Sequence, residues 1–214
     1  MNRSVTEILD HLTEPELLSW MLRTPKAKRE AKSDDSKTIG TIVDNLIRKD
    51  LFPNTPILVE LKPLAKHEEA IGNCMKAWGI FKLERPDVIS GIRGIQEELI
   101  HDGIIGHPDI YFEDAVRWGI IDVKTSKTIY PKYWTQTAEY SELKRLMLRI
   151  LNKPRFIGVL RLDKESGKPY YLEITDEDQI QYEVRVFESY RVTYEHAFKN
   201  REFLRQQLEL EVLK

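Results

Sequence analysis

Two β-rich runs joined by a short connection constrain this chain more than any other feature. Ile105 to Phe112 and Gly119 to Thr125 are rich in Ile, Val, Tyr and Phe, and Glu113 to Trp118 between them reads as a hairpin connection. The first run holds Gly106-His107-Pro108-Asp109, and the second holds Ile121-Asp122-Val123-Lys124-Thr125-Ser126. A hairpin brings Asp109 close to Asp122 although 13 positions separate them. Side chains alternate faces along a strand, so Asp122 and Lys124 point one way while Ile121 and Val123 point into the core. Two carboxylates and one ammonium group then converge at one edge of a sheet.

That combination suits metal-assisted cleavage of a phosphodiester. Two aspartates bind a hard divalent cation through oxygen, and Mg²⁺ keeps several waters beside one or two carboxylates. The backbone carbonyl of Val123 offers a further oxygen ligand. Such an ion lowers the pKa of a bound water and offsets charge on the phosphorus oxygens. Lys124 beside it would orient the nucleophile or stabilise the transition state electrostatically. The competing reading is a charged hairpin whose D-x-K is a solvated strand edge. D-x-K alone recurs by chance; the paired G-x-P-D is what narrows the choice.

Gly-x-Pro-Asp, a short hairpin and Ile-Asp-Val-Lys-Thr-Ser together resemble the core of the PD-(D/E)XK nucleases, in particular the RecB-like exonuclease branch. The D-x-K-T-S form is similar to that of small phage exonucleases and of the mitochondrial genome maintenance exonuclease. The branch carries a Gln-x-x-x-Tyr motif on the helix that follows. Gln136-Thr137-Ala138-Glu139-Tyr140 stands in that place, 12 residues past Lys124, with Gln136 and Tyr140 on one helical face. The resemblance covers residues 97 to 140 and implies catalytic roles for Asp109, Asp122, Lys124, Gln136 and Tyr140. It also implies a glutamate on the strand before G-x-P-D. Glu97 fits that position if Ile95, Glu97 and Leu99 share a strand face; otherwise Glu97 is an exposed edge residue. Relatives have Gly-x-x-x-His on an earlier helix, with the His as a metal ligand. Here the sequence is Gly40-Thr41-Ile42-Val43-Asp44, so Asp44 is either an oxygen ligand in that place or an ordinary helix-surface residue. A shell of Asp44, Asp109, Asp122 and the Val123 carbonyl implies Mg²⁺ as cofactor, with Mn²⁺ substituting.

Composition sets the outer limits. A chain of 214 residues with 41% hydrophobic content can form one domain, residues 1–214, with 1–55 as a helical portion packed on the core. No apolar run reaches the ~18 residues of a membrane span. The start, with Glu7 and Asp10, has neither a signal peptide's apolar centre nor a transit peptide's basic character. The single cysteine, Cys74, excludes an internal disulfide and a four-cysteine cluster, and a reducing cytoplasm fits. The five histidines form no zinc-like pair, and no glycine-rich phosphate loop is present.

Net charge is −2, but its distribution is uneven. Between Lys124 and Arg161 nine cations face only Glu139 and Glu142. Basic groups supply non-specific DNA affinity by releasing counterions, and aromatics stack on unpaired bases. Lys127, Lys132, Tyr133 and Arg161 are accordingly the expected DNA contacts, while Trp134 reads as filling between helix and sheet.

The remaining elements follow from periodicity and punctuation. A capping box at Ser4 opens a short helix to His11, and Thr13 to Leu22 reads as a second helix. Thr24 to Lys37 reads as a charged connection, Thr38 to Phe52 as a helix ended by Pro53, and Ile57 to Leu61 as a short strand. A helix over Lys66 to Trp78 precedes a strand over Ile92 to Ile100. After the hairpin come a helix from Lys132 to Leu151, strands Phe156 to Leu162 and Tyr170 to Ile174, and a long helix from Asp176. The predicted fold is α/β, a mixed central sheet flanked by helices with a restriction-endonuclease-like core. The expected function is Mg²⁺-dependent DNA hydrolysis, as an exonuclease on single strands or DNA ends. An endonuclease on the same core is the first alternative, and a non-catalytic DNA-binding or assembly subunit the second.

Overall fold

A computed structural model describes residues 3–11, 26–54, 65–148 and 153–212. The expected helix at 13–22 and strand at 57–61 lie outside them. In chain order the elements are β1 (Arg3–Ser4), α1 (Val5–His11), α2 (Lys26–Leu51), a 3₁₀ turn (Ala65–His67), α3 (Glu68–Glu84) and α4 (Pro86–Ser90). Then come β2 (Ile92–Ile95), β3 (Leu99–His101), β4 (Ile104–Gly106), β5 (Ile110–Glu113) and β6 (Trp118–Lys124). The chain continues through α5 (Pro131–Leu148), β7 (Arg155–Leu162), β8 (Pro169–Ile174) and α6 (Glu177–Val212).

The main sheet runs β2-β5-β6-β7-β8, with β6 and β7 parallel and the other pairs antiparallel. This is the mixed sheet that the sequence predicts. One face carries Ile110, Phe112, Ile121, Val123, Phe156, Leu160 and Leu162 against Ile39, Ile42, Val43 and Ile47 of α2 and Cys74, Ala77, Trp78 and Phe81 of α3. The other face meets α1, α5 and α6 through Trp118, Ile120, Leu143 and Phe187 and, further along, Ala138, Ile157 and Ile180. Helices on both faces leave β6 buried on both sides, so its Ile-Ile-Asp-Val run sits inside the protein. No helix among the described residues is long and apolar enough to cross a membrane.

Two expected strands are each broken at the same level. Ile92 to Ile100 divides into β2 and β3, and Ile105 to Phe112 divides into β4 and β5. The outer halves form a second sheet, β1-β4-β3, whose β3–β4 hairpin turns on Asp102 and Gly103, both at positive φ. That two-residue Asp-Gly turn matches the right-handed twist of the strands it joins. The break has identifiable causes. Pro108 has no N–H for a ladder, and opposite it Gln96 adopts φ +46° while its N–H donates to the Pro108 carbonyl at 2.9 Å. Asp109 is thereby released from strand pairing, one residue before β5 begins.

The charged stretch from 26 to 37 is not a loop, because α2 runs unbroken from Lys26 to Leu51. Its Lys, Ala, Arg and Glu residues are strong helix formers even without an apolar stripe. At the other end of the chain, α6 continues for 36 residues, roughly 54 Å at 1.5 Å per residue. The capping expectation at the start holds: the Glu7 N–H donates to Ser4 Oγ at 3.0 Å.

Candidate active site

A cleft of about 540 Å³ opens where β6 ends, between α1, α2 and α5. The hairpin register sets its floor. Ile110 pairs with Ile121, and β5 pairs no further along β6, so the peptide of Val123 lies beyond the ladder beside Asp109. Asp109 Oδ2 accepts the Val123 N–H at 2.7 Å. Lys124 Nζ donates to Asp122 Oδ1 at 2.9 Å and also stands 2.7 Å from Oδ2. Asp122 is 1% exposed, and both of its oxygens lie within reach of the Lys124 ammonium. The Asp109 and Asp122 carboxyl groups are close enough to interact by hydrogen bonding when one is protonated.

The electrostatics follow from three acids facing one base in a dry place. Burial pushes Asp122 up to about 7, with Lys124 opposing the rise and Asp109 adding to it. Burial likewise raises Asp109 above the usual carboxylate range against the pull of Lys124. Asp44 rises well above its ordinary value, first from burial, then from the charge of Asp109. Lys124 is raised despite its burial, because Asp122 and Asp109 hold its proton.

Helix α2 brings Asp44 to this cluster. Lys37, Gly40, Thr41 and Asp44 all line the cleft, and their spacing of three, four and seven places them on one helical face. Lys37 is exposed at the rim. Opposite, α5 contributes Gln136 and Tyr140 as its sequence predicts: Gln136 Nε2 donates to the Tyr140 hydroxyl at 2.9 Å. The same amide donates to Thr6 Oγ1 of α1 at 3.1 Å. Tyr140 approaches the sheet closely because residue 106 is glycine; a Cβ there would stand 2.7 Å from the Tyr140 ring. Thr6, Lys37 and Thr41 were not singled out from sequence. The α2 face was readable from spacing, whereas nothing local to Thr6 announces a partner 130 residues away.

Glu97 does not join the cluster. It lies between β2 and β3 rather than on a strand, and its Oε2 accepts the ammonium of buried Lys144 from α5. Its neighbour Gln96 takes the position beside Asp109. With Asp44 and Arg48, the two residues line a small secondary cavity, and Arg48 Nη1 donates to Gln96 Oε1 at 3.0 Å. The expected DNA contacts are largely engaged with acids. Lys127 pairs with Glu165 at 2.7 Å, Lys132 with Asp10 at 3.3 Å, and Arg161 with Asp163 at 3.1 Å. The Tyr133 ring centroid is 5.1 Å from Lys124 Nζ. Trp134 packs against the cluster of Ala138, Ile157 and Ile180, as expected.

The donor chemistry fits a hard cation in part. Two neighbouring carboxylates that share one lysine form the oxygen-only set that Mg²⁺ accepts alongside water. Three carboxylates do not close into one shell: among the described residues, no group of three or more His, Cys, Asp or Glu is gathered closely enough to hold an ion. Asp44 stands beside the pair, raised by its own burial and then by their charge.

No family model and no curated protein sequence matches the chain. Among solved structures it is similar to an assigned exonuclease from Eubacterium rectale, at 19% identity and a TM-score of 0.45, with 72% of this chain and 64% of that one covered. It is also similar to the alkaline exonuclease LHK-Exo from Laribacter hongkongensis, at 13% identity and a TM-score of 0.39, covering 95% and 94% of the two chains. A third is a phage-related exonuclease from Haemophilus somnus 129PT, at 14% identity and a TM-score of 0.37, covering 94% and 96%. The match thus spans 64% of the length of the first of these proteins.

Proposed function

We propose that the chain is a metal-dependent DNA nuclease, acting as an exonuclease on single strands or DNA ends. The observation that supports this best is the end of the β5–β6 hairpin. There Asp109, Asp122 and Lys124 meet in one cleft, with a single ammonium group among its carboxylates. Buried charge is costly unless paired, and one lysine does not match three acids. A divalent cation would supply the missing charge and a water activated for attack on phosphorus. Asp109 and Asp122 would hold that ion, with the Val123 carbonyl as a further oxygen and Asp44 as the neighbouring carboxylate that tunes metal choice, and Mg²⁺ is the natural occupant.

The chain's own groups then divide the work. Lys124 offers a positive charge on the Asp122 side of the cleft, positioned for the phosphate oxygens where negative charge develops. Gln136 and Tyr140, fixed to one another and to Thr6, form the opposing wall and would position the strand. Val123 holds Asp109 in place through its N–H.

Two measurements test this reading. Mg²⁺ should raise the melting temperature of the wild-type protein, because a ligand bound only to the folded state stabilises it. The rise should vanish in Asp122→Asn. End-labelled linear DNA should be degraded with Mg²⁺ or Mn²⁺ and spared with EDTA, while covalently closed circles survive. Efficient cutting of circles would replace the exonuclease by an endonuclease. No cleavage of any DNA with either metal would end the nuclease reading.

A further inference from the structure

Residues paired across neighbouring strands stand on one face of a sheet. Lys124 on β6 pairs with Arg161 on β7, and Arg161 pairs with Tyr170 on β8. The three form a single row that leaves the cleft and ends at the free edge of the sheet. At ~4.8 Å per strand, Tyr170 lies roughly 10 Å from Lys124.

The row is built to hold an aromatic ring in place. Arg161 is 8% exposed, and its Nη1 donates to the Lys127 carbonyl and to Asp163 Oδ2. From that fixed position its guanidinium lies 4.0 Å from the Tyr170 ring centroid. Tyr170 is 45% exposed. Cation–π contact from below therefore holds the ring without covering it. Further aromatics flank the inner end: Tyr133 stands near Lys124, and the exposed Tyr130 meets Tyr133 edge-on at 5.5 Å. Lys168, exposed two residues before Tyr170, carries no ion pair among the described residues.

We propose that this row is the landing for an unpaired DNA strand. One base stacks on Tyr170, Lys168 meets the adjoining phosphate, and the strand continues past Tyr133 to Lys124 in the cleft. Every base has a π-face, so stacking of this kind accepts any sequence. Bases inside a duplex already stack on each other and present no free face, so the row selects single-stranded DNA. This inference rests on the nuclease reading of the cleft and names the form of its substrate.

Binding is read by fluorescence anisotropy in EDTA, with a labelled oligothymidylate and with a blunt duplex. Tyr170→Ala should weaken oligothymidylate binding about fivefold or more, the lower end of what one stacked base contributes. Tyr170→Phe, which keeps the ring, should bind like wild type, and duplex binding should be the same in all three proteins. Unchanged oligothymidylate binding in Tyr170→Ala, or an equal loss for the duplex, overturns the proposal. So does a Tyr170→Ala protein that binds normally but loses self-association in sedimentation, which would make the row a protein interface. Parallel cleavage assays with Mg²⁺ separate the two readings. A wild-type protein that cuts DNA, beside a Tyr170→Ala variant that binds normally, removes the row alone. Selective loss of strand binding in Tyr170→Ala, beside a wild type that cuts nothing, removes the nuclease and keeps the row.

Discussion

The two ends of the parallel β6–β7 pair each bury a cluster of charges, and the clusters are built on opposite plans. At the starting end, Trp118 pairs with Arg155, whose guanidinium is buried. Arg155 donates to both oxygens of Glu177 at 3.0 and 2.7 Å, to Glu142 at 2.8 Å and to Ser141 at 3.3 Å. Burial alone would raise Glu142, but Arg145 and Arg155 outweigh it and hold it below its usual range; Arg155 does the same for Glu177. At the finishing end, six residues along β6, the balance is reversed. Asp44, Asp109 and Asp122 are all raised and share Lys124. A cluster that only holds a fold together satisfies its charges. The cluster in the cleft stays short of positive charge, which the proposed cation would supply.

Substitutions on each side put that contrast to the test, and the largest effect is expected at the finishing end. Asp122→Asn should lower the rate of metal-dependent cleavage by about a thousandfold. Denaturant melts should show no loss of stability, because a costly buried charge has been removed. A marked loss of stability would mean that both clusters are structural. Arg155→Met should do the reverse. Glu142 would keep Arg145 and the half-exposed Glu177 would keep Gln181, so the loss should be about 1–3 kcal/mol in urea unfolding. The folded fraction should keep the Mg²⁺-dependent rise in melting temperature.

A smaller effect sharpens the position of Asp44. Asp44→Ala should weaken Mg²⁺ affinity about tenfold, read from the metal dependence of the melting temperature. Asp44→His should move the activity ratio from Mg²⁺ towards Mn²⁺, since imidazole favours transition metals. An unchanged metal titration in both variants would return Asp44 to the role of a helix residue near the site.

The smallest effect lies between the two plans. Glu139 on α5 is buried, one of its oxygens has no partner among the described residues, and its pKa is pushed up to about 8. Burial is the main cause; Glu188 and Glu142 add to it and Arg191 opposes it. A carboxyl raised on folding favours the protonated folded state. Stability should therefore fall as pH rises from the unfolded value towards and through 8. The loss between about pH 7 and 9 should be on the order of 1 kcal/mol. Glu139→Gln should flatten that slope in a series of urea melts.

Much of the finishing end was legible in the sequence because its parts are local. Asp109 and Asp122 belong to one hairpin, Lys124 is two residues further along the same strand, and Gln136 and Tyr140 lie one turn apart on the next helix. The cation-rich stretch was less legible for the opposite reason. Its acids come from elsewhere in the chain: Asp10 for Lys132, Glu97 for Lys144, Glu113 for Lys153, Glu177 for Arg155 and Glu165 for Lys127. Counting charge along a segment misses partners that arrive through the fold. The broken strands were hidden in a similar way. The apolar pattern resumes on both sides of Gln96 and Pro108; Pro108 was a local sign of the break, whereas at Gln96 only the pairing shows that the ladder stops. Glu97 was placed by strand alternation, which fails once the strand does.

Thr6 has a consequence for the order in which the protein is made. The helix that carries it is tied to α6 by Glu7, which accepts the Tyr194 hydroxyl across 187 residues, and Arg3 in β1 just before it has its guanidinium 4.0 Å from the Phe198 ring centroid. Contacts of such separation close late, after the loops between them have been ordered. During synthesis the hairpin with Asp109 and Asp122 leaves the ribosome well before Tyr194 exists. The wall that steadies Gln136 gains its last ties only when α6 arrives. A nascent chain would thus carry its acids early and its full cleft late.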